Sequence, residues 1–201
     1  ANLSGHDSHG IIQTPTYVER IDVGHIVPGA PFEIVQEAPC TAVINGNWGF
    51  GFVVTEKATR MAIEKAKTNG LAAITVHHQS QIGRLGDYPT MMAAEGMIGM
   101  ITADSGAAPK HVAPFGGVAR KLGTNPICIG MPSNLDGPVL MDMASSTVAL
   151  GKIALSRNRK EDIPLGWIVD KDGNPTTNPN DYYSGGAILP VGVDQGHKGY
   201  A

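Results

Sequence analysis

The segment Gly5-His-Asp-Ser-His-Gly gathers two imidazoles, a carboxylate and a hydroxyl between His6 and His9. An imidazole titrates near neutral pH, so a histidine here suits the donor or acceptor of a proton in a reaction run at that pH. The same residues also read as an Asp or Ser helix cap beside exposed histidines, and the side chains alone leave both readings open. A serine hydrolase needs an oriented nucleophile. Ser8 adjoins His9, but no G-x-S-x-G elbow is present, and sequence neighbours rarely orient one another for attack. His6, His9, His77 and His78 raise the question of a divalent metal, yet no H-x-x-x-H or H-E-x-x-H spacing occurs. In a regular strand His77 and His78 face opposite sides, so the sequence leads to an expectation of no metal. The phosphate-binding patterns G-x-G-x-x-G and G-x-x-x-x-G-K-[ST] follow none of the candidate strands, so a dinucleotide would need a route other than a standard Rossmann loop or P-loop.

These residues must be held by elements that the pattern predicts. Thr41-Ala-Val-Ile-Asn and Gly51-Phe-Val-Val read as short strands around the corner Gly46-Asn-Trp-Gly-Phe-Gly, where small residues admit either backbone or a ligand at close range. Thr55 is expected to cap a helix through about Thr68, with Ala58, Met61, Ala62 and Ile63 apolar and Asn69-Gly70 as its stop. Leu71-Ala-Ala-Ile-Thr-Val is a continuous apolar run, the pattern of a strand buried on both faces. A second helix over Asp87 to Glu95 and a strand over Met97 to Ala103 give residues 55–103 the α-β-α-β alternation of an α/β domain. The strand ends at His77 to Arg84 and Thr102 to Ser105 are therefore candidate ligand positions. Ile127 to Met131 and Pro138 to Ala144 read as further strands, the second ending near Asp142. Ser145-Ser146 reads as the start of a helix running through Lys152. Residues 156–186 are polar and turn-rich, and read as a long excursion over the surface.

Composition narrows the function classes. The 201 residues are 42% hydrophobic and 16% charged, enough to bury one large domain or two small ones. A formal net charge of −3 offers no general footprint for a polyphosphate or an anionic membrane, so neither nucleic acid nor membrane is expected as a partner. Cys40 and Cys128 form no CxxC or CxxH pair, which fits a reducing, cytoplasmic setting. No apolar run approaches the roughly 20 residues of a transmembrane helix. The first residues carry neither a basic nor an apolar signal region and no initiator methionine, a hint of a processed or fragmentary chain.

Six ordered blocks then carry a specific resemblance. They are Gly5-His-Asp-Ser-His-Gly; Ile82-Gly-Arg-Leu-Gly-Asp-Tyr; Ala113-Pro-Phe-Gly-Gly with Leu122-Gly-Thr-Asn-Pro-Ile; Met141-Asp-Met-Ala-Ser-Ser with Gly151-Lys; Ile163-Pro-Leu-Gly-Trp-Ile-Val-Asp with Asn174-Pro-Thr-Thr-Asn-Pro; and Gly196-His-Lys-Gly-Tyr. In that order they resemble the malate/L-lactate dehydrogenase family of NAD(P)-dependent 2-hydroxyacid oxidoreductases, which includes cyclic-imine reductases. The resemblance implies a non-Rossmann α/β fold with a mixed sheet and flanking helices, in agreement with the missing glycine fingerprint. It also implies a homodimer, with NAD or NADP as cofactor and a small 2-oxo or 2-hydroxy acid as substrate. Family members are longer, and this chain resembles their middle. Residues 1–50 would belong to a substrate and dimerisation domain truncated at its start, and 51–155 to a nucleotide-binding domain. Residues 156–201 would be the surface excursion and the return toward the first domain, truncated at its end.

By motif, the resemblance makes His9 the proton donor to the substrate carbonyl, with Ser8 positioning it and Asp142 near the imidazole, favouring its charged form. Thr124, Asn125, Asp142, Met143, Ala144, Ser145 and Ser146 match cofactor-contacting stretches, and His197 and Lys198 would reach the dinucleotide. Two positions depart from the family. Gln81 stands where most relatives carry a histidine, with His78, Gln79 and Ser80 before it, and Gln13 stands where many carry an arginine suited to a substrate carboxylate. Gln81 and Gln13 are thus substrate-side candidates, and Arg84 is the substitute cation, with a structural salt bridge as its other reading. Readings from other classes are a catalytically silent dinucleotide-binding relative, and a metal-dependent hydrolase using His6, His9 and His77.

Overall fold

The computed structural model describes residues 2–5, 9–104, 106, 109–193 and 196, and the chain divides into two compact units. Unit 1 comprises residues 1–101 and 129–141, and unit 2 residues 102–128 and 142–201. Neither boundary falls at residue 50 or 155.

Unit 1 opens with two short 3-10 turns, Asn2–Ser4 and Ile11–Gln13, and helix α1, Thr14–Asp22, whose Pro15 sits in the first turn where no backbone donor is needed. Strands β1, Glu33–Glu37, and β2, Thr41–Gly49, pair antiparallel. Helix α2, Gly51–Asn69, then crosses to β3, Ala73–Gln79, which lies parallel to β2. The sheet runs β1-β2-β3 and is mixed, as expected. Ala42 and Ile44 from one face of β2 meet Val54 of α2, with Phe32, Met61, Ile74 and Val76 packed around them. Ile44 has no exposed surface, and burying such a side chain contributes about 2 kcal/mol. Lys65 of α2 bonds the Ala38 carbonyl and pairs with Glu37 at 2.7 Å, tying the helix to the β1–β2 turn.

Three local expectations change here. Gly51-Phe-Val-Val is the first turn of α2 rather than a strand, because the Val53 and Val54 amides donate to the Phe50 carbonyl and the Gly51 amide donates to Ser80 Oγ at 2.9 Å. The helix ends as predicted, at Gly70 with φ +78°. The run from Leu71 is not buried on both faces: β3 is an edge strand among the described residues, Leu71 is 73% exposed, and Ala73 and Thr75 also face out. His77 and His78 do not face apart, because His78 takes φ +50° and breaks the alternation, bringing the two Nδ1 atoms to 3.0 Å. The glycine corner serves backbone packing. A Cβ on Gly46 would lie 2.9 Å from the His78 carbonyl oxygen.

Helix α3, Asp87–Ala94, and strands β4, Gly99–Thr102, β5, Ile127–Met131, and β6, Val139–Met143, follow. They complete the α-β-α-β order, and the three strands form a sheet in the order β4-β5-β6.

Unit 2 contains helix α4, Leu150–Arg159, strands β7, Ile168–Val169, and β8, Pro175–Thr176, helix α5, Pro179–Tyr183, and strand β9, Ala187–Ile188. Its small sheet runs β8-β7-β9, and Val112, Val148, Ile153, Ile163, Ile168, Tyr182 and Ile188 form its core. Residues 156–186 are therefore not a surface excursion: Ile163, Ile168, Val169 and Tyr182 from that stretch are buried. The turn residues instead close a tight hairpin in which the Asp170 carboxylate accepts the Asp172 and Asn174 amides, each at 2.9 Å. His111 Nδ1 lies 2.8 Å from the Tyr182 hydroxyl, and the Arg120 guanidinium stacks 4.0 Å from the Tyr182 ring centre. Burial, with the charges of Arg120 and Lys110, holds the His111 imidazole below its ordinary pKa.

Neither cysteine is in a disulfide, and among the described residues no helix is long and apolar enough to cross a membrane.

Candidate active site

In unit 1, His9 precedes the Ile11–Gln13 turn and is half-buried. It lines a cavity of about 330 Å³ whose wall also holds Arg84, Glu56, Asp87 and Tyr88 beside the apolar Phe52 and Ile82. Two of the residues singled out from the sequence, His9 and Arg84, thus share one lining. Arg84 Nη1 pairs with Asp87 Oδ1 at 2.8 Å, and the arginine side chain keeps 23% of its surface exposed. The ion pair is the structural reading of Arg84, made locally at the start of α3 by a residue that also lines the cavity.

Tyr88 fixes the loop that presents this arginine. Its buried hydroxyl donates to the Ile82 carbonyl, and burial, reinforced by the Asp87 charge, pushes its pKa well above the usual phenol range, so it remains a donor. Gln81 and Gln13 do not line the cavity. Gln81 Oε1 accepts from the Tyr17 hydroxyl at 3.5 Å, and the Tyr17 ring meets Phe50 edge-on at 6.1 Å. Gln13 stands at the N-terminal boundary of α1, the helix that carries Tyr17.

In unit 2, Thr124 lies against Ser145. The Thr124 carbonyl accepts the Ser145 amide at 2.8 Å and the Ser145 hydroxyl at 3.0 Å. Buried Ser146 donates its hydroxyl to the Val148 carbonyl at 3.0 Å, and the Val191 amide donates to the Ser145 carbonyl at 2.9 Å. The expectation that Ser145-Ser146 start a helix is therefore corrected. Their hydroxyls serve the surrounding loops, and α4 begins at Leu150. Asn125 holds φ +38°, and its Oδ1 is buried with no hydrogen-bond partner among the described residues. A buried amide oxygen left unpaired costs free energy unless a ligand supplies the donor.

Asp142 and Met143 lie on β6, with Asp142 exposed, and Ala144 follows the strand half-buried. Ser8, His197, Lys198 and Ser105 lie outside the described residues, as does His6. Among the described residues no group of three or more His, Cys, Asp or Glu side chains converges.

Sequence reasoning did not single out Glu56, Tyr17 or Phe52. Tyr88 lies in the Ile82-Gly-Arg-Leu-Gly-Asp-Tyr block, four residues after Arg84. No signal marked Glu56: it lies inside the helix expected from Thr55, as one of several charged residues there.

Comparison with known proteins gives a consistent result. The family described as malate/L-lactate dehydrogenase matches residues 1–201. A malate/(S)-sulfolactate dehydrogenase of Methanothermus fervidus is 44% identical over 201 residues, covering all of this chain and 57% of the relative. A malate dehydrogenase of Pyrococcus horikoshii is 39% identical, over all of this chain and 56% of the relative. The solved sulfolactate dehydrogenase of Methanocaldococcus jannaschii superposes with a TM-score of 0.87 at 40% identity, covering 96% of this chain and 54% of that one. The chain thus spans little more than half the length of these relatives.

Proposed function

Because the chain belongs to the malate/L-lactate dehydrogenase family, we propose that it is part of an NAD(P)-dependent dehydrogenase that interconverts small 2-oxo and 2-hydroxy acids. The observation that carries this reading is the shared cavity wall of His9 and Arg84. A reductase of 2-oxo acids needs a cation for the substrate carboxylate and an acid within reach of the ketone oxygen, and an arginine and an imidazole supply them. The nicotinamide dinucleotide, when bound, supplies the hydride. His9 gives its proton to the carbonyl oxygen and takes it back in the oxidative direction. Arg84, held by Asp87 and the Tyr88-pinned loop, orients the carboxylate. Ser8 and Asp142 assist His9 in this proposal, and Gln81 and Gln13 shape the substrate end through Tyr17 and α1.

Unit 2 fits the dinucleotide. The unpaired Asn125 Oδ1 asks for a donor, and ribose hydroxyls and the nicotinamide carboxamide are donors of the right kind. Thr124 precedes Asn125 and bonds Ser145, which Met143, Ala144 and Ser146 adjoin in sequence, and these residues, with His197 and Lys198, are assigned to the same cofactor. The named substrates of the relatives, malate and sulfolactate, carry a second acidic group, which favours a dianionic 2-oxo acid here. The exposed Ile11, Ile12 and Val18 near α1, with Ile34 and Val35 on β1, support a homodimer, and the unbridged cysteines support a cytoplasmic setting.

The test is loss of NADH and of NADPH absorbance by the full-length chain with oxaloacetate, sulfopyruvate, pyruvate and a cyclic imine carboxylate. Binding of nucleotide with no turnover of any of these would favour the silent relative. Arg84→Gln is expected to raise KM for the 2-oxo acid by about 10- to 100-fold, the worth of a charged hydrogen bond, with KM for the nucleotide little changed. A KM shift confined to the nucleotide would move Arg84 out of the substrate site. Asn125→Gly tests the other half. It keeps the left-handed backbone, so the melting temperature of the unliganded protein should hold or rise, while the nucleotide Kd weakens about 3- to 10-fold. Unchanged nucleotide affinity in calorimetry removes Asn125 from the cofactor site.

A further inference from the structure

We propose that the end of the β1-β2-β3 sheet holds a second ligand site, for a divalent transition-metal ion that prefers nitrogen and oxygen donors. Its anchors are the Nδ1 atoms of His77 and His78, 3.0 Å apart, with Asn45 Oδ1 3.3 Å from His78 Nδ1. None of these three residues lines the cavity of His9 and Arg84.

The spacing selects the geometry. Two metal–nitrogen bonds of about 2.05 Å that span this separation open an angle of about 95° at the metal, whereas a tetrahedral ion would need the nitrogens about 3.4 Å apart. Cis donors near a right angle belong to the tetragonal sites of Ni²⁺ and Cu²⁺ rather than to structural zinc.

The third donor is aimed by its neighbours. Asn45 Nδ2 donates to Glu33 Oε2 at 3.0 Å and to Asn47 Oδ1 at 3.1 Å, so the oxygen of that amide is the atom turned toward His78. Asn47 Nδ2 bonds the same Glu33 oxygen at 3.1 Å and holds the carboxylate in place. Such supporting contacts orient metal ligands in known sites.

The backbone supplies an independent reason. His78 at φ +50°, Asn47 at +48° and Trp48 at +61° are non-glycine residues in the left-handed region, and all lie at this end of β2 and β3. That conformation is unfavourable for His78 and Trp48, and it is the His78 twist that turns two neighbouring imidazoles onto one side. A hydrogen bond between the two rings is weak compensation for two such residues. In the metal-free protein one Nδ1 carries the proton between the rings. Loading an ion sends that proton through solvent to the distal nitrogen of the same ring, with no redox change. No third His, Cys, Asp or Glu converges among the described residues, so the remaining positions belong to water.

Trp48 is a built-in reporter, its ring centre 5.1 Å from that of His78. The full-length chain, stripped with EDTA, is titrated with NiCl₂ and then CuCl₂, followed by tryptophan fluorescence and calorimetry. One Ni²⁺ per chain should quench the fluorescence, Cu²⁺ should bind more tightly, and Trp48→Phe should abolish the quench while leaving the heat. His77→Asn and His78→Asn should each weaken Ni²⁺ binding by about tenfold or more. Asparagine tolerates the left-handed backbone, so both variants keep their fold, which circular dichroism checks. His25→Asn, at an exposed histidine elsewhere in the unit, should change nothing. Absence of uptake of either ion, or uptake that survives in the His77→Asn/His78→Asn double variant, overturns the proposal.

Discussion

Replacing His9 by alanine is expected to lower kcat for 2-oxo acid reduction by about 10²- to 10⁴-fold, the range of a lost general acid. His9 is half-buried on the wall it shares with Arg84, so its removal leaves the substrate cation in place. The nucleotide Kd, and KM for the 2-oxo acid, should therefore stay within a few-fold of the parent. A loss confined to kcat marks an interaction made only as charge develops on the carbonyl oxygen. His9→Gln, which keeps a polar side chain of similar reach but no exchangeable acid, should be as slow as alanine. If either variant turned over within fivefold of the parent, the proton would have to come from another group or from water, and the assignment would fail.

Gly51→Ala should cost on the order of 3 kcal/mol and lower the melting temperature by about 10 °C, an overpacking penalty at the upper end of its usual range. A Cβ there would stand 2.0 Å from the Ser80 carbonyl oxygen and 2.6 Å from that of Gln81, and both are backbone atoms with no side-chain freedom to yield. The start of α2 and the 80–84 loop would have to part, breaking the Gly51 amide bond to Ser80 Oγ. Because that loop leads to Arg84, the variant should also raise KM for the 2-oxo acid. Gly70→Ala is the comparison. Gly70 has φ +78° but nothing within 4 Å of its missing Cβ, so only the left-handed backbone is penalised, by about 1 kcal/mol. Melts of the two variants within 2 °C of each other would show that the approach at Gly51 is not close-packed.

Periodicity made the regular elements legible. The stop at Gly70, the strands around Ile44 and Ile74, and helix α3 all follow from local pattern, because each is decided by residues within a few positions. Where long-range packing decided, local pattern failed. Val53 and Val54 favour a strand, but the Ser80 side chain and the Phe50 carbonyl satisfy the amides of a helical turn there. The stretch after Arg159 is polar enough to read as surface, yet its few apolar residues, Ile163, Ile168 and Tyr182, are those that unit 2 buries. Short runs such as Leu-Gly-Trp-Ile-Val carry no period by which to weigh them. In the candidate site, His9 and Arg84 were visible as residue types with a task. Tyr17 and Glu56 were not, since a side chain that matters by touching another distant in sequence leaves no linear trace. The alternation rule failed at His78 for a similar reason: it assumes extended backbone, and φ +50° is not extended.

The order of the units along the chain bears on how a ribosome delivers this protein. Unit 1 needs residues 129–141 as well as 1–101, and unit 2 needs 102–128 as well as 142–201. The nascent chain therefore emerges with unit 1 unfinished when the first part of unit 2 appears, and it closes unit 1 only after that part has been made. Synthesis proceeds at about 5–20 residues per second, so the incomplete sheet waits seconds for its later strands, with apolar surface open to chaperones. A stop codon near residue 101 would release neither unit whole.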